Sequence, residues 1–295
     1  GNDVAICAGD STLLDAGSGY TNYLWNTGET TQTIYADTAG TYNVTVGNGT
    51  LVTNSNSLSF DGVDDNIYIP PTNSLQLSQF TVGGWIYIND FTKKSFIINK
   101  GSLQNRNYRL GINDDLAADG RVHFFWEENG VNHGTNSNTL LSNNTWYFIL
   151  GVYDGNTSKL YINGISENPV FESAIPDISS NEVNIGKAEG WADAFFDGKL
   201  DDIQIWNKAL TQSEIQYYMS SPPTGNEAGL VGYWNFNEGT GSTVTDLSGN
   251  GNNGTINGAT WSTDAPAQYA NNCTATDDVV VTVNPLPTID LGADT

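Results

Sequence analysis

A chain of 295 residues with 38% hydrophobic and 11% aromatic side chains can fill one large or two moderate cores, which excludes a disordered protein. Its 33 Asp and Glu against 10 Lys and Arg give a net charge of -23, which repels polyphosphates and anionic bilayers, so no nucleic-acid binding and no membrane insertion are expected. One Met, two His and two Cys exclude haem ligation and imidazole- or thiolate-rich zinc sites, leaving oxygen ligands and calcium as the expected metal chemistry.

The first predicted strands are short alternating runs, 11–16, 23–25, 31–36 and 41–46, separated by turns such as Gly17-Ser18-Gly19 and Asn26-Thr27-Gly28. One more strong strand, Val279 to Val283, ends at Asn284-Pro285. It would pair with Thr41–Val46 as an antiparallel hairpin whose tip holds a whole inserted domain, an insertion tolerated because the ends of such a loop already lie together. The boundaries expected are 1–50 and 269–295 for the outer domain and 51–268 for the insert. Cys7 and Cys273 flank the outer strands; a bridge would staple its two halves and imply an oxidising, extracellular setting, while two free buried thiols are the alternative. Gly1-Asn2-Asp3-Val4 echoes Gly292-Ala293-Asp294-Thr295, which reads as one unit of a tandem array with neighbouring repeats as partners.

Within the insert, Phe80 to Ile88, Val122 to Trp126 and Trp146 to Tyr153 carry large residues on both faces, as stacked sheets require. Asp154-Gly155-Asn156 and Asn163-Gly164 are tight turns around Lys159 to Ile162. One helix is expected, opened by the capping box Thr211-Gln212-Ser213-Glu214 and presenting Ile215, Tyr218 and Met219 as an apolar stripe that lids the sandwich. Trp85, Trp146, Trp206 and Trp234 lie inside strand patterns and are expected in the core.

Two resemblances follow. Ile6-Cys7-Ala8-Gly9-Asp10-Ser11, Tyr23-Leu24-Trp25-Asn26-Thr27-Gly28 and Ala39-Gly40-Thr41-Tyr42, rejoined to Asn272-Cys273-Thr274-Ala275-Thr276-Asp277, resemble the Ig-like, PKD-type repeats of large secreted bacterial surface proteins. In such repeats the two cysteines pair and the tryptophan, here Trp25, packs near them. Ser57-Leu58-Ser59-Phe60-Asp61-Gly62, Phe80 to Trp85, Trp146 to Asn163 and Gly198-Lys199-Leu200-Asp201-Asp202-Ile203 resemble the laminin G-like jelly roll of the concanavalin A-like superfamily. The Gly229 to Gly239 and Asp246 to Gly254 stretches also match but follow the helix, so the strand order looks circularly permuted. The fold class implied is all-β: an Ig-like β-sandwich with an inserted concanavalin A-like (laminin G-like) jelly roll and one short helix.

Acidic turns gather Asp61, Asp64 and Asp65, the pair Asp201 and Asp202, and Glu238 with Asp246. The resemblance implies a structural calcium, and Asp201, Glu238 and Asp246 are the ligands it singles out; Asp and Asn in glycine turns also bond their own backbone. A sugar offers an apolar face ringed by hydroxyls, so Trp126, Trp191 and Arg106 are the candidate ligand-binding residues. Glucanases of this superfamily carry a Glu-x-Asp-x-Glu or Glu-x-Asp-x-x-Glu strand that the chain lacks, so no enzyme is expected. The function expected is a non-catalytic, extracellular, cell-surface adhesion module that binds glycan or protein; a structural repeat of a stalk or filament and a glycan-cleaving enzyme are the alternatives.

Overall fold

Period-two alternation decides which side chains enter each core. The computed structural model describes residues 2–285, apart from 21, 48–50, 53, 91, 103, 114–118, 189, 191–193, 267 and 270–273. Its contacts divide the chain into two units, Gly1–Leu51 with Tyr269–Thr295, and Val52–Gln268.

In the smaller unit a four-stranded sheet runs in the order Val4–Cys7, Thr274–Asn284, Gly40–Gly47, Asn22–Trp25. A two-stranded sheet, Thr12–Asp15 with Thr33–Ala36, carries Leu14, Ile34 and Ala36 into the same core as Trp25, Tyr42, Val44, Val46 and Val281. Thr41 pairs with Val280 and Val44 with Asp277, the antiparallel partnership that the alternation suggested. Trp25 is buried and its indole donates to the Thr31 carbonyl at 2.8 Å.

Cys7 is exposed and lies beside Asn284 on the neighbouring strand. Cys273, its expected disulfide partner, lies outside the described residues.

The larger unit stacks two sheets. One runs Val131–Leu140, Arg121–Glu128, Asn105–Ile112, Ser95–Ser102, Val183–Ile185, Asn66–Ile69, Gly254–Asn257, Thr243–Val244. The other runs Ile165–Phe171, Thr157–Ile162, Trp146–Tyr153, Phe80–Ile88, Asp197–Trp206, Ser57–Asp61, Thr260–Ser262, with Leu230–Trp234 also paired to Asp197–Trp206. Between them Ile98, Leu110 and Phe124 from the first sheet meet Ile86, Ile149 and Leu200 from the second. The strands after the helix return to the start of the unit, Gly254–Asn257 onto Asn66–Ile69 and Thr260–Ser262 onto Ser57–Asp61.

The second sheet is covered on its other face too. Trp85, Phe148, Leu150, Val152 and Trp206 lie under Ile215 and Met219 of the helix Gln212–Ser220. The Thr211 hydroxyl accepts from the Glu214 amide, and the Glu214 carboxylate accepts from the Thr211 amide at 2.8 Å, completing the capping box. Burial on both faces explains why Phe80–Ile88 and Trp146–Tyr153 carry large residues at consecutive positions.

One irregularity shapes the chemistry. Asp201 pairs with Trp85 but Gln204 with Gly83, so one residue of the Asp197–Trp206 strand bulges, and Asp202 takes φ 46°, a conformation Asp tolerates. The bulge leaves no room opposite: a Cβ on Gly84 would stand 2.6 Å from the Asp202 carbonyl oxygen and 2.8 Å from that of Asp201.

Candidate functional site

Strand register brings side chains distant in sequence into one line across the first sheet. Thr255 pairs with Tyr68, Tyr68 with Asn184, Asn184 with Asn99, Asn99 with Arg109 and Arg109 with Phe125. Paired residues point to the same face, and here their chain neighbours Ile67, Ile69, Val183, Ile185, Ile98, Leu110 and Phe124 fill the core, so the line occupies the outer face. Six strands at about 4.8 Å make the line about 24 Å long.

The two ends of the line differ from its middle. Tyr68 is 37% exposed and Thr255 is exposed, whereas Asn184, Asn99 and Arg109 are buried and Phe125 is half-buried. Arg109 lies over two aromatic rings, its guanidinium carbon 5.3 Å from the Phe96 centroid and 5.6 Å from that of Phe125. His123 packs on Phe125 with centroids 5.8 Å apart. Asn184 accepts from Asn66 at 3.4 Å. Asn99 donates to the Gly101 carbonyl at 2.7 Å, while its buried Oδ1 has no partner among the described residues. The floor is thus a run of amides and one cation, with tyrosine at its accessible end. Beside it Lys100, also buried, donates to the Asn181 carbonyl at 2.7 Å; burial pulls its pKa down to about 8 against the opposing pull of Glu182.

The ligand-binding residues expected from the sequence lie elsewhere. Trp126 is fully buried, stacked on His133 at 4.6 Å with its indole donating to Ser158 at 3.0 Å, so it is core and not a contact platform. It sits on the inward parity of Arg121–Glu128, which a position at the strand end concealed. Arg106 is buried in an ion pair with Glu127 at 2.7 Å, so its charge serves the interior. Trp191 lies outside the described residues. Tyr68 and Asn184 were missed because they sit in short, mostly apolar strands, and Asn99 because it lies beside Lys100 in a strand of mixed composition; only pairing aligns them.

The expected calcium ligands do not converge either. The described residues contain one group of three carboxylates, Asp61, Asp64 and Asp65, with ligand atoms within 4.8 Å of one another, and it does not include Asp201, Glu238 or Asp246. Asp246 is spent on its own turn, accepting from the amides of Tyr233 at 3.1 Å, Ser248 at 2.9 Å and Asn252 at 2.8 Å. Glu238 is exposed and accepts from the Thr245 amide at 2.7 Å.

Asp201 has different surroundings. It is fully buried, and burial beside Asp202 pushes its carboxyl well above the usual range. The Asn54 amide donates to it at 2.5 Å and to the Pro266 carbonyl at 3.1 Å, while Asn54 Oδ1 is buried with no partner among the described residues. Which end of an amide is oxygen is assigned from its hydrogen bonds. Turning this one over would set three oxygens, from Asn54, Asp201 and Pro266, toward one another, the donor set a hard cation accepts. Asp202 accepts from the Tyr233 hydroxyl at 2.5 Å, and burial raises its carboxyl to about 7.

With this geometry in view, the profile of a family described as the concanavalin A-like lectin/glucanases superfamily matches residues 61–216. The chain belongs to this superfamily. Its concanavalin A-like jelly roll is similar in fold to two solved structures. A candidate carbohydrate binding protein from Bacteroides ovatus is 16% identical with a TM-score of 0.62, covering 92% of this chain and 98% of its own. A heptameric SAP-like pentraxin from Limulus polyphemus is 16% identical with a TM-score of 0.50, covering 75% of this chain and 98% of its own. Comparison with curated proteins gave no match.

Proposed function

We propose that the concanavalin A-like jelly roll is a non-catalytic carbohydrate-recognition module that binds a short glycan along the outer face of its first sheet. The single observation that carries this reading is the registered line from Thr255 through Tyr68, Asn184, Asn99 and Arg109 to Phe125. A half-exposed phenol ring can pack on the apolar face of a pyranose, and the exposed Thr255 hydroxyl beside it can bond the rim. The buried Asn184, Asn99 and Arg109 hold the strands beneath in fixed register, which lowers the ordering cost of binding. In the same reading the module acts outside the cell as an adhesive unit of a bacterial surface protein, with the smaller unit as an Ig-like spacer and neighbouring repeats beside it. The surplus of carboxylates supports this, because it keeps repeats apart and soluble.

The test is a glycan array followed by calorimetry on the whole chain. Tyr68→Ala should weaken binding at least tenfold with unchanged thermal stability, and Thr255→Ala should weaken it severalfold. Equal affinity of Tyr68→Ala and the parent chain for the array hit would end the assignment to this face.

A structural calcium belongs to the same reading, held by Asp201, Asn54 and the Pro266 carbonyl. Calcium would neutralise the buried carboxylate and fix the first and last residues of the jelly roll against each other. It should raise Tm over that in chelator by several degrees, and Asp201→Asn should abolish the difference. A calcium shift that survives in Asp201→Asn and vanishes in Asp64→Asn would move the ion to the Asp61, Asp64 and Asp65 turn.

A further inference from the structure

Uncommitted hydrogen-bonding groups gather at one end of the first sheet's outer face. Thr243 pairs with Thr255 and Thr255 with Tyr68, and two residues along the same strands Asn257 pairs with Asn66. Their chain neighbours Val244, Ile256, Ile67 and Ile69 turn into the core, so Thr243, Thr255, Tyr68 and Asn257 share the outer face, and all four are exposed. Among the described residues none of these four side chains forms a hydrogen bond, in contrast to Asp246, which its own turn absorbs. Three hydroxyls and one amide therefore keep their donors and acceptors for a ligand. Two strand spacings, about 10 Å, separate Thr243 from Tyr68, room for about two sugar rings.

Charge is absent from this end. The strands Thr243–Val244, Gly254–Asn257 and Asn66–Ile69 carry no Asp, Glu, Lys or Arg. The cations in the other strands of the sheet are committed. Lys100 is buried on the Asn181 carbonyl, Arg106 is buried on Glu127, Arg121 pairs with Asp119 at 2.8 Å, and Arg109 is buried over Phe96 and Phe125. Carboxylates flank the patch on two sides. Glu182 accepts from the amide of Asn184, the register partner of Tyr68, at 3.3 Å. Asp65 abuts Gly258, the residue after Asn257, and shares its turn with exposed Asp61 and Asp64. An anionic ligand on Tyr68 would give up hydration and meet like charge, with no cation on these three strands to replace the lost water.

We propose that this patch selects neutral saccharides about two rings long and excludes sialylated, uronate-bearing and sulfated ones. The inference rests on the reading that Tyr68 and Thr255 bind glycan; it adds the charge class of the ligand and extends the contact to Thr243 and Asn257. Hydroxyl rims need donors and acceptors but no counter-charge, and the patch supplies that combination. Binding without an ion pair is also insensitive to salt.

The test is an array that prints each neutral oligosaccharide beside its charged form, such as lactose with sialyllactose and xylotriose with glucuronosyl xylotriose, followed by calorimetry on the whole chain. The neutral member should bind, its charged partner should bind at least about tenfold more weakly, and added salt should leave the neutral affinity within about twofold. Asn257→Lys places a cation on the patch and should cut the discrimination to about threefold. Glu182→Gln removes one flanking charge and should narrow it in the same direction, which keeps the proposal testable if the lysine disturbs the Asn257–Asn66 pairing. A charged glycan that binds as tightly as its neutral form, and is lost in Tyr68→Ala, would overturn the neutral class while leaving the glycan site on this face. Discrimination unchanged in both variants would also overturn it. Hits indifferent to Tyr68→Ala, or no hit in the array, would remove the glycan site from this face and the inference with it.

Discussion

The jelly roll and the smaller unit are built from the same alternating strands but close differently. In the jelly roll the outer face of the second sheet is covered by the helix, and the outer face of the first carries buried Asn184, Asn99 and Arg109 beside exposed Tyr68. In the smaller unit, among the described residues, a two-stranded sheet lies against a four-stranded one and a cavity opens beside their shared core. Dense packing turns every core atom into stability, whereas a void forfeits contacts along its whole lining. The comparison separates a rigid scaffold, which holds a recognition face in place, from a unit with unfilled packing capacity.

The sharpest way to break this contrast is to change the packing of each interior in turn. Trp234→Ala deletes a fully buried side chain whose indole also donates to the Asn252 carbonyl at 3.0 Å. It should cost about 3–5 kcal/mol in denaturant unfolding. Gly84→Ala adds one methyl against the Asp201–Asp202 bulge and should cost about 1–3 kcal/mol, because both atoms it meets are backbone. A near-neutral Gly84→Ala would show that the jelly roll yields where its packing says it should not.

A buried charge gives the next test. Lys100 has a folded-state pKa lowered to about 8, so below that pH the folded protein bears the cost of a buried cation. Between about 8 and the unfolded value near 10.4 the unfolded chain binds more protons, so stability should rise with pH. Lys100→Met should remove that rise and stabilise the protein at neutral pH by on the order of 2 kcal/mol. Urea melts at pH 7 and pH 10 read both effects, and a Lys100→Met chain that keeps the alkaline rise would assign it to another group. The smallest effect is expected beside the cavity, where Leu14→Ala should cost only about 1–2 kcal/mol, below the usual range for a buried leucine, because part of its surroundings is already empty. A loss as large as that of Trp234→Ala would erase the distinction between the two interiors.

Much of this architecture is legible along the chain. The strands of Phe80–Ile88 and Trp146–Tyr153, the capping box at Thr211 and the partnership of Gly40–Gly47 with Thr274–Asn284 follow from alternation, turn residues and caps, which act over a few residues. The site is far less so. Trp126 and Arg106 look like surface residues by composition of their neighbours, and the fold buries both. Glu238 and Asp246 look like ligands, and the turn they sit in absorbs them as hydrogen-bond acceptors. Asp201 gains meaning from Asn54 and Pro266, at the opposite limits of the jelly roll.

The all-β class, most strand and helix positions and the acidic, cation-poor composition can be read along the chain, because periodicity, capping and charge are local or additive quantities. Register and closure emerge only once distant strands meet. Register moves a whole strand's side chains from one face to the other with a single-residue shift, so it alone placed Tyr68, Asn184, Asn99 and Arg109 in one line, set Cys7 beside Asn284, and left a cavity where two strands face four.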